Sequence, residues 1–150
     1  MNCRPLQFPR QWPDVRRRSL LLGFPLIGPQ AGAYRDICNQ LSSRTAECWA
    51  LWGPDQARVQ AAQFVATALA EAVEWPNPIF IPDDPYELVC WDHKSCAIDD
   101  LSLVGAFMEI ESHFNREPPD NEFELFYQGT VGAYVDFLLY GTTPRAKTPT

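Results

Sequence analysis

The sequence predicts an all-α domain, and three observations carry that prediction. Apolar residues recur at spacings of three and four in four separate stretches, the period of a helix with one buried face. Those stretches are bounded by helix punctuation such as Gly53-Pro54, Asp55, Asp99-Asp100, Thr130 and Gly141. No glycine-rich phosphate loop and no strand–helix alternation occurs, so a nucleotide-binding α/β layout is not expected.

Residues 1–29 carry Pro5, Pro9, Pro13, Pro25 and Pro29, too many for regular structure, and read as a basic, proline-rich arm. From Ala33 to Trp52 the pattern turns helical, with Ile37, Leu41, Cys48 and Leu51 near one face, giving an extra N-terminal helix within residues 30–54. Gly53-Pro54 stops it. Asp55 then caps a second helix, because its carboxylate can accept the orphan N–H groups of a first turn. That helix runs to about Glu74, with Val59, Ala62, Ala66, Leu69 and Val73 as its buried stripe.

A long connection comes next, "EWPNPIFIPDDPYELVCWDHKSCAI", whose prolines forbid a continuous helix. Pro85 can open a single turn through Tyr86–Val89, with a short strand at Ile79–Ile81 as the alternative. The next helix spans about Asp100 to Phe114. Leu103, Ala106, Phe107, Ile110 and Phe114 form its core face, while Leu101, Val104, Met108 and Glu111 make a mixed stripe on the flank. A short turn at Glu122–Phe126 is expected after it. Thr130 caps the last helix, with Val131, Tyr134, Val135 and Leu138 inward and Gly141 at its end. Residues 142–150 read as a disordered tail.

Charge and cysteine usage narrow the function. Residues 1–54 hold seven Arg against three acids, net +4, and residues 55–150 hold five Lys/Arg against sixteen acids, net −11. An acidic domain behind a basic arm argues against nucleic acid as the main partner, since phosphate binding needs clustered cations. The five cysteines (Cys3, Cys38, Cys48, Cys90 and Cys96) are odd in number and lack framework spacing, so free thiols in a cytoplasmic protein are expected. Export is the alternative: segment 16–33 has a cationic start, a short apolar run and a small-residue close, although Pro25 interrupts the run.

The stretch "DDLSLVGAFMEIESHFNREPPDNEFELFYQGTVGAYVDFLL" resembles the second half of an acyl carrier protein. The match runs through Asp99, Leu101, Val104, Met108, Ile110, Glu111, Phe114, Pro119, Asp120, Thr130, Val131 and Asp136 in order. Residues 57–98 fit less specifically as helix one and its loop, and residues 1–54 have no counterpart. The resemblance implies a bundle of three long helices plus a short one over residues 55–141. It also implies a D-S-L triplet at the head of helix two, whose serine carries phosphopantetheine. Here Asp100 stands in that slot, and a carboxylate is not an anchor for the phosphodiester. Ser102, the fallback, lies about 200° around the helix. No attached cofactor is therefore expected, with phosphopantetheine on Ser102 as the alternative.

Other chemistry is thinner. Cys90, His93 and Cys96 could hold zinc with Asp92 nearby, but paired close cysteines are lacking and a plain loop is the simpler reading. Cys90 with His93 or His113 could make a nucleophile pair, although no orienting group can be named. Asp83 and Asp84 could act as acid and base, yet proline-flanked acids usually serve turns and caps. The expected function is a non-enzymatic module that presents Asp100, Leu101, Val104, Met108 and Glu111 to a protein partner. The basic arm could fold back on the acidic domain or touch a membrane surface.

Overall fold

The protein is described by a computed structural model over residues 3–10, 12, 29–91, 102–117 and 122–143. Its elements are helical: α1 (Pro29–Ser42), a 3-10 helix (Ala46–Trp52), α2 (Gln56–Val73), α3 (Tyr86–Val89), α4 (Ser102–Phe114), α5 (Glu122–Tyr127) and α6 (Val131–Tyr140). No strand forms among the described residues, Ile79–Ile81 included, and an isolated bridge joins Pro85 to Thr130.

The single helix expected over residues 33–52 is broken. α1 ends at Ser42, and Arg44 and Thr45 turn out of it before the 3-10 helix begins. The cause is Arg44, which is drawn inward to Asp84. The break also rotates the 3-10 helix relative to α1. Leu51, expected on the face of Ile37 and Leu41, is 49% exposed, whereas Trp52 is buried and donates its indole N–H to the Phe80 carbonyl at 2.9 Å.

α2 starts and stops as its punctuation implies. Asp55 accepts from the Ala57 N–H at 3.0 Å, and Glu74 takes a left-handed φ of 63° with its N–H on the Ala70 carbonyl. Its alanines keep the buried side thin, and α4 and α6 both pack against it. Ala106 and Ile110 of α4 are buried there, with Leu103, Phe107 and Phe114 partly buried against the core. α6 is capped by Thr130, whose hydroxyl accepts from the Ala133 N–H at 3.2 Å, and closed by Gly141 at φ 70°. Tyr86, Phe126 and Phe107 surround Tyr134 at ring-centroid distances of 5.4, 5.4 and 6.2 Å, steeply inclined as aromatic quadrupoles prefer.

The connection from Pro82 to Tyr86 is tied to the start of α6 by backbone alone. Tyr86 N–H reaches the Gly129 carbonyl, Val131 N–H the Asp84 carbonyl and Gly132 N–H the Pro82 carbonyl, at 2.9–3.1 Å. A Cβ on Gly132 would lie 2.8 Å from the Pro82 oxygen, so only glycine permits this approach.

One expectation about the N-terminal segment changes. Cys3 and Cys48 form a disulfide instead of remaining thiols; their separation of 45 residues gave no hint of it. Residues 3–10 and Trp12 pack on the body, with Leu6, Pro9 and Trp12 buried. Cys38 and Cys90 are thiols, and Cys96 lies outside the described residues. No helix of the described residues is long and apolar enough to cross a membrane.

Candidate functional site

The stripe expected to face a partner stands outward at both of its apolar positions on α4. Val104 and Met108, one turn apart, are 53% and 64% exposed, while Ala106 and Ile110 bury the opposite side. Glu111 continues the stripe and is half-buried, which pushes its carboxyl above the usual glutamate value. Ser102 opens α4 and is exposed. Asp99, Asp100 and Leu101 lie outside the described residues.

Beyond Met108 and Glu111 the surface dips into a shallow depression of about 270 Å³, completed by Ser112, Asn115, Arg116 and Glu117. Its floor exists because α4 ends abruptly: Asn115 takes a left-handed φ of 48°, and Arg116 N–H turns back to the Glu111 carbonyl at 3.2 Å. The Arg116 guanidinium points away towards α6, 3.5 Å from the Leu138 and Leu139 carbonyls, where a cation complements the helix C-terminus. Glu111 and Glu117 are therefore left to colour the depression acidic. The arrangement offers two apolar anchors beside carboxylates, suited to binding and without a nucleophile–base pair.

The other sequence candidates separate. Asp83 is exposed and Asp84 is fully buried, so the adjacent acids do not share a site. Asp84 instead forms a forked pair with Arg44, at 2.6 and 2.7 Å. Its oxygens also accept from the Leu6 and Ile81 N–H groups at 2.9 and 2.8 Å, and Arg44 donates further to the Ile79 and Arg4 carbonyls. Such full pairing is what makes a buried charge tolerable. Sequence reasoning missed Arg44; the signal was the run Ser42-Ser43-Arg44-Thr45, rich in poor helix formers placed mid-pattern.

His113 stacks on Phe64 at 3.8 Å. Cys90 sits just past α3, its N–H on the Tyr86 carbonyl, while Asp92, His93 and Cys96 lie outside the described residues. Among the described residues no group of three His, Cys, Asp or Glu is placed to hold a metal. Burial raises the Cys38 thiol, which lowers its thiolate fraction at neutral pH.

No family model matches this chain, and no curated protein and no solved structure matches it.

The likeness to carriers thus stands on the sequence positions from Asp99 to Asp136 alone. The carboxylate of Asp100 does not fit phosphopantetheine, because an acyl phosphate in place of a serine phosphodiester would hydrolyse.

Proposed function

We propose that this chain is a non-enzymatic protein-binding module of acyl-carrier-like build, whose contact face is the outer side of α4. The observation that carries this reading is the exposure of Val104 and Met108 on a helix whose core face is already supplied by Ala106 and Ile110. Two apolar residues exposed one turn apart on a packed helix are available as paired anchors for a contact made elsewhere. Glu111 supports the same reading, since a half-buried carboxylate gains most from a cation brought by a partner. Partners are thus expected to bring a basic, apolar-anchored surface.

The test is a pair of charge insertions. Val104→Asp and Met108→Asp should abolish capture of a partner identified by cross-linking to the wild-type chain, with thermal stability unchanged within about 0.5 kcal/mol, as for exposed positions. Unchanged capture ends the proposal. A second reading, a working carrier modified at Ser102, is favoured by that residue's exposure at the head of α4. Intact mass after incubation with a phosphopantetheinyl transferase and coenzyme A separates the two: the module gains nothing, whereas a carrier gains one prosthetic group that Ser102→Ala removes.

A further inference from the structure

Residues 3–10 cross the body as a strap without regular secondary structure, seated through their own main chain. The Arg4 carbonyl accepts from Arg44 at 2.8 Å, and Leu6 N–H donates to Asp84 at 2.9 Å. Gln7 exchanges both of its backbone groups with the side chain of Gln40, at 2.8 and 3.0 Å. Leu6, Pro9 and Trp12 are the buried anchors; the chain turns after Pro9, Trp12 N–H donating to the Pro9 carbonyl at 3.0 Å, and the Trp12 ring meets the edge of Trp91 at 5.0 Å. Main-chain hydrogen bonds for affinity and buried side-chain anchors for register are how proteins hold short peptide segments.

We propose that this groove is a binding site for a peptide of the strap's own chemistry, held by its main chain with a leucine-type and a tryptophan-type anchor on either side of a proline turn, filled in cis by residues 3–10 and Trp12 and gated by the Cys3–Cys48 disulfide. The disulfide is the covalent clasp between the strap and the body. Removing the strap strands no charge. The Asp84 oxygen that holds Leu6 is also held by Arg44 Nη2, and that same nitrogen is the one on the Arg4 carbonyl, so the ion pair stays closed when the strap leaves. Leu6 and Gln7 return their N–H groups to water.

Opening the clasp is ordinary thiol–disulfide exchange with a dithiol. Cys48 is fully buried and Cys3 is not, so the incoming thiolate attacks the Cys3 sulfur and Cys48 leaves as thiolate. The second thiol of the reductant then displaces Cys3. The dithiol becomes a disulfide, and two electrons and two protons pass to Cys3 and Cys48. The tethered strap still competes at an effective concentration of around a millimolar, so only the reduced form yields measurably to an outside peptide.

The experiment uses the full chain, oxidised and after treatment with dithiothreitol. A fluorescently labelled peptide of residues 3–12, carrying Cys3→Ser, is titrated to about a millimolar and monitored by anisotropy. The reduced chain should bind it saturably and at least about ten-fold more tightly than the oxidised chain, and Leu6→Asp in the peptide should abolish binding. Exchange of the Leu6 and Gln7 amides should quicken on the order of 100-fold upon reduction. Cys3→Ser in the chain should behave as reduced without reductant. Absence of peptide binding to the reduced chain overturns the proposal, even where those amides quicken. Loss of helical circular dichroism upon reduction also overturns it, since the disulfide is then a staple of the whole fold.

Discussion

Arg44 and Asp84 show how one pair of side chains can decide a chain's path. Both side chains are essentially excluded from solvent, at 1% and 0% exposure. Their pairing gathers the strap, the end of α1 and the turn at residues 81–84 onto two functional groups. Asp84→Ala should therefore cost about 3–5 kcal/mol in denaturant unfolding, because a buried guanidinium loses its counter-charge. The double change Arg44→Met, Asp84→Leu should cost less than that single one; a larger loss would mean that the pair stabilises the fold outright. Glu111 gives a pH-dependent counterpart at the surface. Its carboxyl is raised by burial, so the folded state holds the proton more tightly than the unfolded chain. Stability is then complete below the ordinary glutamate value and falls as pH rises through the raised folded one. Glu111→Gln should raise Tm at about pH 7, with the gain vanishing below about pH 3; a gain that persists in acid would show that charge is not the cause.

At the scale of elements, the two ways a glycine can sit in a helix give predictions of opposite sign. Gly105 on α4 has nothing within 4 Å of where a Cβ would be, so Gly105→Ala should stabilise by about 0.5–1 kcal/mol through helix propensity alone. Gly132 on α6 lies under Pro82, with two atoms within 2.9 Å of the missing Cβ. Gly132→Ala should cost about 1–3 kcal/mol despite the same propensity gain, because the backbone-tied loop cannot move aside. Thermal melts of the two variants decide it, and equal shifts would refute the packing argument. These contrasts also mark how far the sequence could be read. α2, α4 and α6 were legible, and the caps Asp55, Thr130 and Gly141 with them, since each acts within a few residues of itself. Val104 and Met108 were legible as an outward stripe, because a helix wheel needs only local spacing. The break after Ser42 was not, since its cause lies forty residues away at Asp84. Nothing in the glycine pattern separated Gly132 from Gly105 either, because Pro82 approaches from another part of the chain.

On the scale of the molecule, the decisive contacts are those that hold residues 3–10 and Trp12 against the body. The net charge of +4 over residues 1–54 marked a basic arm, but charge counts carry no register, and neither the Cys3–Cys48 link nor the seats of Leu6 and Trp12 could be read from them. Those contacts bear on the export-signal alternative. Cleavage after Ala33 would remove Cys3, Leu6 and Trp12 together, opening the groove above Asp84 and leaving Cys48 without its disulfide partner. Burial of Leu6 and Trp12 contributes roughly 1.5–3 kcal/mol each, and a disulfide of this span roughly 2–5 kcal/mol more. Their combined loss is comparable with the whole stability of an ordinary domain, roughly 5–15 kcal/mol. A chain beginning at Tyr34 should therefore unfold without a cooperative transition, or melt far below the full chain. A sharp, undiminished transition in the shortened chain would show that the strap is an ornament on a self-sufficient bundle, and that segment 16–33 can be cut without harm to residues 34–141.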